Sequence, residues 1–207
     1  MADQEAYATF LDFEKAYDRV YWSYLFRVLE TFGIGSKFIA RVRLLYNKSI
    51  AKLVVNGELT SNIYPNRGVK QGDPLSSLLF VLAIEPLAAH LRQVPEHGLQ
   101  IGPRAAATSI LFADGCTLLS GTKDGLDRQL DIVHEYCLVS GARLNRAKCK
   151  TLALSSKRPP PDWDGHNAMA TGTHVKYLGI CFGHDMPTSK QAEALVQRFY
   201  VDSSSRL

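Results

Sequence analysis

An aspartate followed by a glycine separates two apolar runs in the segment SILFADGCTLL, where the pair is Asp114 and Gly115. An Asp-Gly pair between apolar runs predicts the turn of a β-hairpin, since glycine reaches positive φ without steric cost. A carboxylate at the tip of such a hairpin also supplies the oxygen donors that hard divalent cations prefer. The pattern alone therefore leaves two interpretations open, a plain turn and a metal-binding aspartate.

A second aspartate follows an apolar run near the start of the chain. The segment YATFLDF, from Tyr7 to Phe13, predicts a buried strand, and Asp12 stands at its end. By itself, an aspartate at a strand end most simply caps the next element. The elements that position the two aspartates decide between these interpretations.

Three helices and a hairpin are predicted between the two aspartates. The signals are apolar residues at helical spacing, an Asn-Gly turn, and proline or glycine at helix ends. The predicted segments are a helix from Tyr21 to Phe32, a helix from the N-cap Ser36 to Tyr46, a hairpin from Leu53 to Thr60, and a helix from Asp73-Pro74 to about Val94.

The chain after Asp114 predicts one helix followed by strands. The predicted segments are a helix that Leu126, Leu130, Val133 and Cys137 mark and that Gly141 ends, a strand from Cys149 to Ser155, and a strand from His174 to Phe182. This order of elements predicts an α+β domain, with helices packed on one face of a mostly antiparallel sheet.

Composition is that of an ordinary globular domain. Hydrophobic residues make up 46% of the 207 residues, and the longest apolar run, Leu78 to Ile84, is far shorter than a membrane-spanning helix. The first residues, MADQEAY, lack the pattern of a signal peptide. We therefore expect an intracellular protein, cytoplasmic or nuclear, with no transmembrane segment. The four cysteines are widely separated without metal-ligand spacing, which predicts reduced thiols.

Positive charge is concentrated in two stretches. Ser36 to Asp73 holds seven Lys or Arg against two acidic residues, and Ser140 to Pro161 holds six Lys or Arg and no acidic residue. Such stretches fit contact with a polyanion, although a run of charge is more often a solvated face.

Five segments in a fixed order resemble the palm of a reverse transcriptase of the non-LTR retrotransposon type. They are YATFLDFEKAYDRVYW, RGVKQGDPLSSLLF, SILFADGCTLL, SGARLNRAKCK and VKYLGICFG. The resemblance covers the chain from Thr9 to Gly183. The resemblance implies a palm over residues 1–186 with an RRM/ferredoxin-like core. It also implies that the fingers are largely missing and that residues 187–207 are the start of a truncated thumb or a disordered tail.

The activity implied by the resemblance is RNA-directed DNA polymerisation, a nucleotidyl transfer that uses two Mg²⁺ ions, with Mn²⁺ as a substitute. Asp12 and Asp114 match the metal-binding aspartates, and the main-chain carbonyl of Phe13 adds a further oxygen. Lys148 matches a basic residue that protonates departing pyrophosphate. For Lys148, a solvated lysine in a basic run is an equally good interpretation.

The resemblance also implies substrate contacts. Tyr17 matches an aromatic residue that excludes ribonucleotides, although a core tyrosine at a helix start fits the pattern too. Gln71 and Gly72 match residues that touch the incoming deoxynucleoside triphosphate. The other implied partners are an RNA template and a DNA primer. The residues predicted to contact nucleic acid are Arg41, Arg43, Lys48, Arg143, Arg146 and Lys150.

One position departs from the family pattern. The third motif normally ends in two aspartates, whereas this chain has Asp114 and Gly115. Loss of one charged group from an active site typically lowers the rate by ~10²–10³, so we expect an impaired polymerase. The alternative is an inactive retroelement remnant that only folds or binds RNA. An RNA-directed RNA polymerase is disfavoured by the bulk of Tyr17.

Overall fold

The computed structural model describes residues 5–47, 49–112, 115–156, 163–177 and 180–184. The chain divides into two compact units, which are taken here in turn. Unit 1 contains Met1–Asp12, Leu91–Asp131 and Leu144–Leu207, and unit 2 contains Phe13–His90 and Ile132–Arg143.

Five α-helices and ten β-strands lie in the described part of the chain. The helices are α1 (Ala16–Arg19), α2 (Trp22–Thr31), α3 (Ser36–Tyr46), α4 (Pro74–Arg92) and α5 (Lys123–Ser140). The strands are β1 (Tyr7–Leu11), β2 (Val54–Val55), β3 (Glu58–Leu59), β4 (Leu99–Gly102), β5 (Ala105–Ala107), β6 (Ser109–Phe112), β7 (Gly115–Ser120), β8 (Lys150–Ala153), β9 (His174–Tyr177) and β10 (Ile180–Gly183).

Unit 1 is built on a four-stranded antiparallel sheet in the order β6-β7-β1-β8. The two central strands are β7 and β1, and every residue of β1 is buried. A strand with neighbours on both sides and cover on both faces is mostly apolar, and YATFL fits this pattern except at Thr9, whose hydroxyl lies 3.0 Å from that of Thr151. The chain order β1, helices, β6, β7, α5, β8 and this strand order are those of a ferredoxin-like core, so the predicted α+β fold is confirmed.

One face of this sheet is covered by the last described segments rather than by a helix. Ala8, Phe10 and Leu152 form its apolar surface, with Met169, Val175 and Tyr177 packed against it. The ring of Phe10 lies 5.2 Å from that of Tyr177 and 5.6 Å from that of Phe182. The β9–β10 hairpin therefore completes the core of unit 1.

Two sequence predictions in unit 1 were wrong. The segment from His174 to Phe182 forms two paired strands instead of one, with Tyr177 opposite Ile180. The β4–β5 hairpin was not predicted, because its strands are short: LQIG contains only three alternating residues and AAA contains none.

Unit 2 holds the predicted helices near their expected bounds. Helix α3 begins at Ser36, but its N-cap is Gly35 and no side chain caps it, so the prediction of Ser36 as the cap was wrong. The β2–β3 hairpin has Asn56 at φ 53° and Gly57 at φ 85°, as its predicted Asn-Gly turn requires.

Helix α4 is long and apolar enough, by length and composition alone, to cross a membrane, and 44% of the relevant window is buried. The longest unbroken apolar run of the sequence, Leu78 to Ile84, covers only part of α4, so the run alone did not indicate the full length of this helix. Within unit 2, the hydroxyl of Tyr24 donates to the carbonyl of Ala83 at 3.0 Å, and burial raises the pKa of Tyr24. The core helix of a folded domain meets the same criteria of length and composition, and the bond from Tyr24 packs α4 within unit 2.

Candidate active site

The register of unit 1 places the end of β1 next to the β6–β7 hairpin. Leu11 pairs with Cys116 in β7, and Phe112 pairs with Gly115 across the hairpin. Asp12 is the first residue after β1, and its side chain is 42% exposed. Asp114 lies outside the described residues, so the predicted approach of its carboxylate to that of Asp12 stays a prediction.

Gly115 is a strand residue and not a turn residue. It is the first residue of β7 and has no positive φ, so the expected need for left-handed backbone was wrong. A Cβ atom at this position would lie 3.0 Å from Oη of Tyr177 and 3.2 Å from the carbonyl oxygen of Phe112. Crowding by Tyr177, rather than backbone conformation, therefore limits what can replace Gly115.

The plain interpretation of Asp12 as a helix cap is not supported. The N-cap of α1 is Lys15, which has left-handed backbone and no side-chain capping bond. The N–H of Asp12 donates to Sγ of Cys149 at 3.5 Å, and its carbonyl accepts from the N–H of Asn145 at 2.8 Å. Sequence reasoning missed Asn145 and Cys149 as neighbours of Asp12, although both stand in the motif SGARLNRAKCK.

Lys148 lies beside Asp12, and its predicted role as a proton donor to pyrophosphate stays a prediction. Its Nζ lies 3.9 Å from Oδ2 of Asp12, and its side chain is 71% exposed. An ion pair this open to solvent contributes little to stability. The pair matters for the chemistry of the candidate site, because the amino group of Lys148 lies beside the carboxylate of Asp12.

The two cysteines near Asp12 are poor candidates for chemistry. Burial raises the pKa of the Cys116 thiol to about 12. Burial also raises the pKa of Cys149, and the N–H of Asp12 partly offsets that effect. Both residues are free thiols, as predicted, and both are protonated at neutral pH.

In unit 2, Tyr17 packs against α4. Its ring stacks on that of Phe80, with centroids 4.3 Å apart and planes inclined by 15°, and its carbonyl accepts from the N–H of Val69 at 2.7 Å. Tyr17 is half-buried. The stacking on Phe80 gives Tyr17 a packing contact in unit 2, and its predicted role against the sugar stays a prediction. The ring of Phe13 packs edge-on against Tyr136, 6.2 Å between centroids.

The loop before α4 depends on a glycine that the sequence analysis did not single out. Gly68 has φ 87°, and a Cβ atom there would lie 2.7 Å from the carbonyl oxygen of Asp18. The indole N–H of Trp22 donates to the carbonyl of Gly68 at 2.7 Å. The loop is thus held against α1 and α2 at a distance that only glycine allows.

Gln71 and Gly72 lie on an exposed turn directly before α4. Gly72 has φ 87°, and a Cβ atom there would meet nothing within 4 Å. The turn is fixed on one side by Asp73, whose carboxylate accepts from the N–H of Ser76 at 3.1 Å and from its hydroxyl at 2.9 Å. The turn has the open surface that contact with a nucleotide needs.

The charged residues after Phe13 have structural partners in unit 2. Glu14 lies 3.7 Å from Arg19 and 3.6 Å from Arg143, and its N–H donates to the carbonyl of Arg143 at 2.8 Å. Arg19 also donates to the carbonyl of Gly141 at 3.3 Å. Arg143 is thus partly engaged within the protein, while keeping 68% of its side chain exposed.

The other predicted nucleic-acid contacts differ in their surroundings. Arg41 and Arg146 are exposed. Arg43 lies 4.1 Å over the ring of Phe26 and 3.2 Å from Glu30, which gives it a structural role in unit 2. Lys150 is half-buried in β8, and Lys48 lies outside the described residues.

The predicted metal ligands are Asp12, Phe13 and Asp114, of which Asp12 and Phe13 lie in the described part of the chain. Within that part of the chain, no group of three or more His, Cys, Asp or Glu side chains is arranged to hold a metal ion. The partly exposed Asp12 carboxylate has the donor chemistry of a hard cation ligand.

A comparison with protein families matches residues 2–182 to "Reverse transcriptase (RNA-dependent DNA polymerase)". The chain belongs to the reverse transcriptase family. Members of this family generally use divalent metal ions. The predicted resemblance is confirmed, and its non-LTR type is confirmed by the relatives described next.

The reverse transcriptase domain is similar to proteins of mobile elements. It is 29% identical over 182 residues to a Pol polyprotein of the R2 retrotransposable element of Popillia japonica, covering 83% of this chain and 30% of the relative. It is 32% identical over 155 residues to the R2DM Pol polyprotein of Drosophila melanogaster, covering 74% of this chain and 14% of the relative. The chain thus spans less than a third of the length of either relative.

Solved structures agree on the fold of this reverse transcriptase domain. Apo telomerase from Candida tropicalis, truncated from its C-terminal domain, superposes with a TM-score of 0.59 at 16% identity, covering 88% of this chain and 34% of that chain. Telomerase from Candida albicans in complex with a fragment of telomeric RNA superposes with a TM-score of 0.60 at 13% identity, covering 87% and 29%.

Proposed function

We propose that residues 1–186 are the palm of an RNA-directed DNA polymerase. Residues 187–207, expected to be the start of a truncated thumb or a disordered tail, lie outside the described residues. The substrates are an RNA template, a DNA primer and deoxynucleoside triphosphates. The family match over residues 2–182 supports this assignment. So does the RNA named with the telomerase of Candida albicans, whose fold the chain shares.

One observation carries the proposal most directly. The pairing of Leu11 with Cys116 sets Asp12 at the end of a strand whose neighbour begins at Gly115, the residue after Asp114. We assign metal binding to Asp12, Asp114 and the carbonyl of Phe13. When bound, two Mg²⁺ ions would activate the primer hydroxyl and neutralise the leaving pyrophosphate, and Mn²⁺ would substitute for them.

The remaining roles follow from residue chemistry. Lys148, 3.9 Å from the Asp12 carboxylate, would donate a proton to departing pyrophosphate. Tyr17 would exclude the 2′-hydroxyl, and the turn at Gln71 and Gly72 would contact the incoming nucleotide. The exposed Arg41, Arg143 and Arg146 would bind the nucleic-acid backbone, together with Arg43, Lys48 and Lys150.

We also propose that this copy is impaired. Gly115 supplies no carboxylate at the position where the family motif has its second aspartate, and Tyr177 lies over that position. The enzyme would act inside the cell, in the cytoplasm or nucleus, where retroelement RNA and chromosomal DNA are found.

The test replaces the matching segment of the Popillia japonica R2 protein with residues 2–182 of this chain, because the chain covers only 30% of that relative. Extension of a DNA primer on an RNA template would be measured with Mg²⁺. We expect extension that is slow but above that of Asp12→Asn and Asp114→Asn, which remove one metal ligand each. Extension no faster than that of these two variants, with RNA binding retained, would favour the inactive remnant.

A further inference from the structure

The backbone of Asp12 is held by a turn and not by the sheet. Pairing of β1 with β7 ends at Leu11, and pairing with β8 ends at Phe10. The backbone N–H and carbonyl of Asp12 instead bond to Cys149 and Asn145. Because the sulfur of Cys149 is a weak acceptor, the orientation of Asp12 depends on how firmly the turn 145–149 is itself held.

The side chain of Asn167 holds the turn 145–149 through two hydrogen bonds. Its side-chain Nδ2 donates to the carbonyl of Arg146 at 2.6 Å and to the carbonyl of Cys149 at 3.2 Å. An amide nitrogen has two hydrogens, so one side chain can satisfy both acceptors. Inside the turn, the N–H groups of Lys148 and Cys149 donate to the carbonyl of Asn145 at 2.9 and 3.1 Å. The turn is therefore held both by its own backbone hydrogen bonds and by the two hydrogen bonds from Asn167.

Asn167 is in turn anchored to β8. The N–H of Thr151 donates to the carbonyl of Asn167 at 3.1 Å, and the N–H of Met169 donates to the carbonyl of Thr151 at 2.8 Å. The hydroxyl of Thr151 donates to the carbonyl of His166 at 2.8 Å and lies 3.0 Å from the hydroxyl of Thr9 in β1. Thr151 is fully buried. Asn167 is therefore bonded to β8 of the same sheet whose strand β1 ends directly before Asp12.

The backbone of Asn167 explains its residue type. Its φ is 48°, a left-handed conformation that asparagine adopts more readily than other residues with a Cβ. Glycine would adopt the same backbone but would lose both side-chain hydrogen bonds. This separates the contribution of the side chain from that of the backbone.

We propose that Asn167 is a positioning residue for the active site. By holding the turn 145–149 on β8, it fixes the backbone of Asp12 and keeps Lys148 beside the Asp12 carboxylate. The inference rests on the proposed metal site at Asp12. Asn167 acts through the turn, in the way that partners behind a metal ligand set the orientation of that ligand.

The test uses the whole 207-residue chain and the variant Asn167→Gly. Asn167→Asp is a second variant, since aspartate also tolerates left-handed backbone but places an oxygen where the donor was. Asn56→Gly is the matched control, because Asn56 has φ 53° in the β2–β3 hairpin of unit 2. Two quantities would be measured, the dissociation constant for Mn²⁺ by electron paramagnetic resonance and the rate of Cys149 alkylation by iodoacetamide, resolved by mass spectrometry.

We expect both Asn167 variants to raise the Mn²⁺ dissociation constant by about tenfold and to accelerate alkylation of Cys149, with circular dichroism unchanged. Asn56→Gly should change neither quantity. Faster alkylation with an unchanged dissociation constant would overturn the inference, as would no change in either quantity. Asp12→Asn distinguishes the two proposals: if it binds Mn²⁺ as tightly as the parent chain, the metal site is wrong and the positioning role falls with it.

Discussion

Gly115 affects both the proposed chemistry of the site, because it supplies no carboxylate, and the packing around it, because Tyr177 lies close to it. Its sequence context predicts a turn glycine, yet it is the first residue of β7 and has no positive φ. The residue that limits this position is Tyr177, from β9, whose hydroxyl lies 3.0 Å from the place of a Cβ atom. Chemistry and packing at Gly115 can therefore be tested separately.

We predict that Gly115→Asp speeds primer extension in the R2 replacement protein, by up to ~10²-fold if the missing carboxylate is the main lesion. It should also lower the free energy of unfolding by about 1 kcal/mol, the low end of the range for overpacking. The cost is small because the hydroxyl of Tyr177, which the new side chain would meet, is the far end of a side chain and can shift. Tyr177→Phe should reduce that loss. Equal rates in the parent and in Gly115→Asp would show that the glycine is no catalytic lesion.

Tyr17 allows a second test at this scale. Tyr17→Ala should raise the ratio of ribonucleotide to deoxynucleotide incorporation, because it removes the ring proposed to clash with the 2′-hydroxyl. It should also cost about 1–3 kcal/mol, less than a fully buried ring, since the stack on Phe80 is lost. Phe80→Leu removes the stack but keeps Tyr17, so its ratio should stay unchanged. An equal rise in both variants would assign the effect to packing.

Among elements, the loop from Gly68 to Gly72 shows how α1, α2 and α4 are joined in unit 2. The carbonyl of Asp18 comes so close to Gly68 that a Cβ atom would lie 2.7 Å from it. Gly57 has nearly the same backbone, φ 85°, with nothing within 4 Å. The two glycines therefore differ in their surroundings and not in their conformation.

We predict that Gly57→Ala costs about 1–2 kcal/mol, the penalty of left-handed backbone alone. Gly68→Ala should cost clearly more, because the main chain of Asp18 must also shift. Urea unfolding at equilibrium measures both. Equal losses would mean that the loop moves freely away from α1.

Most of these elements were predictable because their signals are local. The periodicity of α2, the Asn-Gly turn of the β2–β3 hairpin and the apolar run of β1 are each readable within about a dozen residues. The strands β4 and β5 are too short to carry such a signal, and the contacts of Tyr177 in β9 and Phe182 in β10 with Phe10 join residues far apart in the sequence. Likewise, Asn167 and Tyr177 reach the site only through tertiary contacts, which spacing in the sequence does not reveal.

For the whole molecule, the net charge of +4 is unevenly distributed along the chain, and this distribution bears on the proposed binding of RNA. The basic stretch after Ser140 includes Arg146, which is exposed, and Lys148, beside Asp12. Binding of RNA through such residues releases counterions from the phosphates. Affinity should therefore depend steeply on salt and weakly on sequence.

We predict that the logarithm of RNA affinity falls linearly with the logarithm of salt concentration, and that Arg146→Gln lowers the slope by about 0.7. The matched control is Arg128→Gln, since Arg128 is 70% exposed, pairs with Asp131 and lies outside both basic stretches. Fluorescence anisotropy over a range of salt measures both slopes. A flat titration, or equal slopes for both variants, would identify the stretch as a solvated face.

The sheet of unit 1 also constrains the order in which this chain can fold. Strand β1 is synthesised before its two neighbours, β7 and β8, and the hydroxyls of Thr9 and Thr151 that meet in the core are 142 positions apart. At ribosomal speed, that separation corresponds to on the order of ten seconds. Until β7 has been synthesised, the apolar segment YATFL has neither neighbouring strand, so we expect it to bind chaperones during translation.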